Sequence, residues 1–370
     1  MRLYHASDLH VTEGCTVSSQ APWAHRLAFK LANGMNDMSL HRHTRLSVEA
    51  MVLHFEKRLR QGDRDWHLLL TGDLTDAGST DELKYLKGLL APIWDPDLVT
   101  AIPGNHDTSS ILVASYAREK GLRVPAGAAA RRAEFEACFG ELMTATHGFP
   151  RDTWPFVKVL PRGRMAIIGL DSTFEHGGDL DFASGRLGAD QLDELGDALE
   201  RLQRSKRFAG FATVVALHHS PIDEESWKRQ RMLGLRDSAA FLAACEGNAT
   251  CILNGHNHSL ERSTSHGIPI LQAPTLAFGI DEEPKGAALV VGCYDVHLLQ
   301  PGRVAGIEEL EILVDPAIRI RQLRYREKLA HLLRKPLPCD TCNGPVAPEM
   351  DVCPWCQAEP PVDFKPRGAT

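Results

Sequence analysis

The chain has 370 residues, 24% of them charged, and a formal net charge of −7. It is long enough for a large core and more than one domain. The charge balance excludes a general polyanion binder, and no apolar run approaches the ~18–20 residues of a membrane span.

The first ten residues, MRLYHASDLH, contain no apolar signal core, so a cytoplasmic protein is expected. Short apolar runs then recur along the chain, each ending in polar residues. Leu3–Ser7 leads into Asp8 and His10, His67–Thr71 into Gly72 and Asp73, and Leu98–Pro103 into Gly104, Asn105, His106 and Asp107. Met165–Leu170 leads into Asp171, Phe211–Leu217 into His218 and His219, and Thr250–Asn254 into Gly255, His256 and His258. Runs this short, bounded by Gly, Pro or Asp, predict buried strands. A further strand is expected at Glu308–Val314.

Apolar spacing of three and four predicts helices over Arg45–Arg60, Ser79–Leu90, Ile111–Gly121, Ala130–Phe139 and Ala189–Gln203. Strands alternating with helices predict an α/β layered domain. Such a domain presents ligands outside the carboxyl ends of its strands. Residues 11–44, with His25, His41 and His43, carry no strand signal and read either as a cap over those ends or as a surface insertion.

The strand-end residues, taken together, are carboxylates, imidazoles and an amide. That mixed oxygen and nitrogen set suits Mn, Fe or Zn rather than Cu(I) or Ca²⁺. One carboxylate can bridge two cations ~3.5–4 Å apart.

The ordered motifs D-x-H at 8–10, GD at 72–73, GNHD at 104–107, HH at 218–219 and GHxH at 255–258 resemble the calcineurin-like metallophosphoesterase family, over about residues 1–300. Within it they look most like the bacterial branch that includes cyclic-nucleotide and glycerophosphodiester phosphodiesterases. The resemblance implies a four-layered α/β/β/α sandwich. It implies one metal on Asp8, His10 and His258, with Asp73 bridging to a second on Asn105, His256 and His218. Of the adjacent pair, His218 is chosen; His219 would point away along the strand's alternation. His106 takes the place of the family's catalytic histidine, and Asp107 that of the acid orienting it. The expected chemistry is hydrolysis of a phosphodiester by a hydroxide held between the metals, with His106 protonating the leaving oxygen. From Asp8 to Asp73 this chain runs 65 positions, longer than the family's usual spacing, because of the 11–44 excursion.

Beyond the phosphoesterase domain, set at 1–315, residues 316–335 predict a basic helical linker; Arg319–Lys335 holds seven basic residues and one acid. CDTC and CPWC, ten residues apart, place Cys339, Cys342, Cys353 and Cys356 at the spacing of a tetrahedral structural zinc. The module, 336–360, resembles a zinc ribbon, followed by a loose tail at 361–370. Cys339–Glu359 has no Lys or Arg and four acids. That composition favours a protein partner over nucleic acid, since phosphate affinity needs cations. Three readings therefore stand beside the phosphodiesterase: a phosphomonoesterase on the same site, a nuclease using the ribbon and basic helix, and a non-catalytic metal-binding scaffold.

Overall fold

The structure, a computed structural model, describes residues 1–11, 45–108, 125, 127–144, 154–173, 183–222 and 233–276, with the shorter stretches 280–282, 288–290, 293–299, 303–309, 337–338 and 345–346. The 12–44 excursion, the helix expected at 111–121, the basic linker and the four ribbon cysteines lie outside them.

Two sheets carry the fold, beside a short antiparallel pair of β10 (Ile280–Glu282) and β11 (Ala288–Val290). In the first, β1 (Arg2–Ala6), β2 (Trp66–Thr71) and β3 (Val99–Ile102) run parallel; β12 (Cys293–Leu299) and β13 (Arg303–Glu309) extend it antiparallel, in the order β13-β12-β1-β2-β3. In the second, β5 (Met165–Gly169), β6 (Ala212–Ala216), β7 (Cys251–Asn254) and β9 (Ile268–Gln272) are parallel. Antiparallel strands β4 (Phe156–Leu160) and β8 (Glu261–Ser265) form its edges, in the order β4-β5-β6-β7-β9-β8.

The period of two in the second sheet sorts its side chains into two cores. Ile167, Val214, Ala216 and Leu253 join the first sheet and helices α1 (Arg45–Arg60), α2 (Thr80–Leu90) and α4 (Ala128–Met143) in one buried cluster. Their neighbours Ile168, Val215 and Ile252 turn to the other face. There they pack against α5 (Ala189–Arg204) and α6 (Ser238–Cys245).

Local chemistry starts and aims the helices. Ser79 caps α2 in a reciprocal box: its Oγ accepts from Glu82 N–H (3.2 Å), and Glu82 Oε2 accepts from Ser79 N–H (3.1 Å). Leu83, Leu86 and Leu90 then fall on one buried stripe. Truncating one such leucine to alanine costs about 2–5 kcal/mol.

The predicted helices at 45–60, 79–90, 130–139 and 189–203 and the six predicted strand runs all appear, with ends shifted by a few residues. The strand expected at Glu308–Val314 overlaps β13 at Glu308 and Glu309, where β13 pairs with β12; residues 310–314 lie outside the described ones. Strands β4, β8 and β9 and helix α6 were not legible. β8 reads ERSTS and is largely exposed, so it has no apolar pattern. β4 reads FVKVL, and its central lysine is buried. Lys158 Nζ donates to the carbonyls of Pro96 (2.8 Å), Val99 (3.0 Å) and Leu142 at the end of α4. Burial pushes its pKa down to about 7, while three carbonyl acceptors match the three hydrogens of the ammonium form.

Candidate metal centre

All five parallel strands that carry the predicted motifs end at one place. β1, β2 and β3 deliver Asp8 and His10, Asp73, and Asn105 and His106. β6 and β7 deliver His218, and His256 and His258, from the opposite sheet. Asn105 and His106 lie on α3 (Asn105–Thr108), a single turn immediately beyond β3.

The chain reaches this geometry through backbone conformations that L residues rarely adopt. Seven non-glycine residues have positive φ among the described residues, and five of them are Asp8 (53°), His10 (43°), Asp73 (47°), His256 (80°) and His258 (55°). Main-chain bonds continue past the strand ends to hold the turns, from Asp8 N–H to Gly72 O and from His10 N–H to Asp73 O, both 3.0 Å. Two glycines are required by close approach. A Cβ on Gly104 would run into the backbone N and Oδ1 of Asp73, and one on Gly255 into Ser7 Oγ and Asp8 Oδ2.

Three groups of donor atoms converge: Asp8 with His10 and His258; His10 with Asp73 and His106; Asp73 with His218 and His256. In the first, His258 Nε2 lies 3.0 Å from His10 Nε2 and 3.2 Å from Asp8 Oδ1. In the third, His218 Nε2 lies 3.3 Å from Asp73 Oδ2, 3.2 Å from His256 Nδ1 and 3.1 Å from Asn105 Oδ1. His10 Nε2 is 4.0 Å from Asp73 Oδ2.

These separations fit a cation. Ligand atoms at about 2.1 Å from one ion stand ~3.0 Å apart at right angles and ~4.2 Å apart when opposite. Two imidazole nitrogens pointed at each other make one hydrogen bond at best, yet here two such pairs meet beside carboxylates. Asp8 Oδ1 is buried without a hydrogen bond and faces the cluster.

The imidazoles are oriented from behind, as metal-ligating histidines are. His218 Nδ1–H donates to Thr71 O at 2.8 Å, which turns Nε2 inward. His10 Nδ1 faces Asp76 Oδ1 at 3.4 Å. His106 Nδ1–H donates to Asp76 O at 2.7 Å, so His106 Nε2 faces Asp73 Oδ2 at 4.0 Å. Asp76 thus braces two rings, one through its carboxylate and one through its carbonyl. Sequence reasoning passed over it; its place three residues after Asp73, in GDLTD, is the available signal.

Asp107, expected to orient His106, directs its hydrogen bonds to the backbone and to Thr75. Its carboxylate is buried and accepts from the N–H groups of Gly104 (2.9 Å), Leu74 (3.1 Å) and Thr75 (2.9 Å) and from Thr75 Oγ1 (2.7 Å). It ties the loop after β2 to the loop after β3, and Asp76 holds the ring instead. The reason is direction: the turn of α3 aims Asp107 into the protein and His106 outward.

Of the adjacent pair, His218 faces Asp73, while His219 Nδ1 lies 2.7 Å from Ser172 Oγ with its ring 4.5 Å from that of His256. Asp171 stays outside the cluster. Its carboxylate accepts from Arg132 and from Thr173, which meets Thr108 Oγ1 on α3 at 2.6 Å.

Electrostatically the two halves neutralise each other. Burial pushes the Asp73 and Asp8 carboxyls up, but His218 and His106 for the first, and His258 and His218 for the second, outweigh it and hold both below the usual range. Burial lowers His218, and the Asp73 carboxylate more than reverses this, raising it to about 9. His106 is raised too, with Asp73 and Asp76 overcoming burial. Burial holds His256 down at about 3, leaving it a neutral nitrogen donor.

A family model described as calcineurin-like phosphoesterase matches residues 1–260. No curated protein matches. Among solved structures, a dimetal phosphatase from Danio rerio aligns at 12% identity and a TM-score of 0.46, over 85% of this chain and 99% of its own. A purple acid phosphatase from yellow lupin (Lupinus luteus) seeds aligns at 11% and 0.47, over 84% and 53%. Phosphopantetheinyl hydrolase from Mycobacterium tuberculosis aligns at 15% and 0.38, over 74% and 89%. At such scores none of the three bears on substrate.

Proposed function

This chain belongs to the calcineurin-like phosphoesterase family, and from that premise we propose that it is a dinuclear metal-dependent enzyme hydrolysing a phosphodiester, either a cyclic nucleotide or another small phosphodiester. The observation that supports the reading is the meeting of Asp73 with donors from both sheets, His10 on one side and His218 and His256 on the other. Asp8, His10, His258 and Asp73 would hold one cation; Asp73, Asn105, His218 and His256 would hold the other, with Mn, Fe or Zn suited to the donor set. When bound, such a pair supplies charge neutralisation at the phosphoryl oxygens and a water acidified enough to attack near neutral pH.

The protein's own part is position and a proton. His106 carries its Nδ1 hydrogen in the bond to Asp76 O, so the nitrogen that can serve the substrate is Nε2. Asp73 and Asp76 raise its pKa, which favours the protonated form that can give a proton to the leaving oxygen. Asp107 acts through the backbone, by locking the turn that carries His106.

The wider layout belongs to the same proposal: a four-layered sandwich over 1–315, a basic linker at 316–335 and a zinc ribbon at 336–360. Leu337–Pro338 pairs antiparallel with Pro345–Val346, on either side of the segment holding Cys339 and Cys342, which supports a ribbon with one structural zinc. The acidic composition of the ribbon supports a protein partner. No helix among the described residues is long and apolar enough to cross a membrane; a cytoplasmic location remains part of the proposal.

A substrate panel in Mn²⁺ tests the reading: bis(p-nitrophenyl) phosphate, p-nitrophenyl phosphate, 2′,3′- and 3′,5′-cyclic nucleotides, and single-stranded DNA. Turnover of small diesters above the monoester is expected. Preference for the monoester or for DNA would select those alternatives, and inertness to all, with metals bound, would leave the scaffold.

A further inference from the structure

His256 and His258 lie on the short loop between β7 and β8, and both have left-handed backbone conformations. Each is a conformation that L residues rarely adopt. Two within three positions persist only where their surroundings over-determine them. Main-chain bonds hold the start of the loop, from Gly255 N–H to His218 O (3.0 Å) and from Asn257 N–H to Gly255 O (3.1 Å).

Asp8 Oδ2 accepts from His256 N–H (3.0 Å) and Gly255 O from Asn254 Nδ2 (3.1 Å), and a further hold comes from one side chain of β9. Gln272, the last residue of β9, pairs in register with Asn254 of β7 on one side and Glu261 of β8 on the other. It therefore sits between the strand that enters the loop and the strand that leaves it, and it is buried. Its Oε1 accepts from Asn254 Nδ2 and Asn257 Nδ2, both at 3.2 Å. Its Nε2 donates to Ser259 Oγ (3.2 Å) and Ser259 O (3.3 Å). An amide has two hydrogens and two lone pairs, and all four are used on residues 254–259.

We infer that Gln272 is a positioning residue for the metal centre: it clamps the loop so that His256 and His258 stand ready to ligate, and so sets metal affinity without touching metal or substrate. This rests on the reading of that loop as metal-binding. The amide is chemically particular. A carboxylate would keep both acceptor contacts and oppose the Ser259 carbonyl, and an apolar side chain of similar size would lose all four bonds.

Calorimetric titration of the metal-depleted full chain with Mn²⁺ tests it. Gln272→Met is expected to weaken Mn²⁺ binding about 10- to 100-fold, the range for partners that orient ligands, with Gln272→Glu between it and wild type. Asn257→Ala removes one of the four bonds from the loop side, with no change to the sheet. It is expected to weaken binding about 2- to 13-fold, one net hydrogen bond. A purely structural Gln272 would lower the unfolding midpoint and leave the dissociation constant unmoved; that result overturns the inference. If Gln272→Met does not fold, wild-type affinity in Asn257→Ala overturns it equally. A wild-type chain that takes up no Mn²⁺ would refute the metal reading itself, a result distinct from variants that bind as well as wild type.

Discussion

The two sheets bring different chemistry to the centre. The five-stranded sheet contributes both carboxylates, the amide of Asn105 and the rings of His10 and His106; the six-stranded sheet contributes imidazoles alone. The anionic half is braced by its own loops, through Asp107 on Gly104, Leu74 and Thr75. The nitrogen half depends on Thr71 O of the opposite sheet behind His218 and on Gln272 of its own sheet behind the loop at 255–259. The carboxylates thus stand on one wall and imidazoles alone on the other, and the bond from His218 to Thr71 O ties the two. The site is complete only when the sheets pack.

That contrast breaks most decisively at Asp73, the residue shared by two donor groups. Asp73→Ala is expected to abolish hydrolysis and lower bound metal from two ions to less than one per chain. His258→Ala, on the opposite wall, is expected to cost one ion only. Elemental analysis beside turnover decides, and equal losses would mean the walls are not distinct.

His106→Ala sharpens the division between holding metal and moving protons. A drop of about 10²–10⁴-fold in kcat is expected, with metal content kept at the wild-type value. Loss of an ion would instead make His106 a ligand through its group with His10 and Asp73.

Away from the site the sheets are joined by Lys158, whose removal strands three carbonyls. Lys158→Met is expected to destabilise the fold by about 2–4 kcal/mol, since unmet buried acceptors cost 1–3 kcal/mol each and some recover water; urea unfolding measures it.

The smallest effect concerns pH. His218, raised to about 9 by Asp73, carries at neutral pH a proton that must leave before its Nε2 can ligate. Mn²⁺ affinity should therefore rise with pH up to about 9, by at most tenfold per unit for this one proton, or ~1.4 kcal/mol. Calorimetry in buffers of differing ionisation enthalpy should register the released proton. His218→Asn should flatten the dependence.

Acid stability shows the same asymmetry from within the strands. His67 of β2 is buried between Asp97 O and Thr100 Oγ1, and burial lowers it to about 3. The unfolded chain binds the extra proton between about pH 6.5 and 3, so stability falls as pH drops through that window, by ~1.4 kcal/mol per unit for this group. In His67→Gln the urea midpoint should change less steeply over pH 4–6.5.

Much of this was readable in advance, and the failures have physical causes. Strands that are apolar on both faces and end in Asp, Asn or His announced themselves, because burial selects the run and chemistry selects its end. β8 escaped because a polar edge strand looks like loop, and β4 because Lys158 hides a buried position behind a charge. The hydrogen bonds of Asp107 were not legible, because a motif names residue types while a single turn of helix decides where each one points. Asp76 and Gln272 left almost no trace. One acts partly through its carbonyl, and the other acts across a sheet register on residues 13 to 18 positions away.

By itself the sequence determined the donor types, their order and their places at strand ends, which bounds the chemistry to hard and borderline divalent cations and the fold to layered α/β. Only the tertiary structure decided that the two sets of strand ends face each other, that Asp73 is the shared carboxylate, and which nitrogen of each ring turns inward. Those facts depend on contacts between residues up to 248 positions apart and on left-handed turns that only the packed sheets can hold.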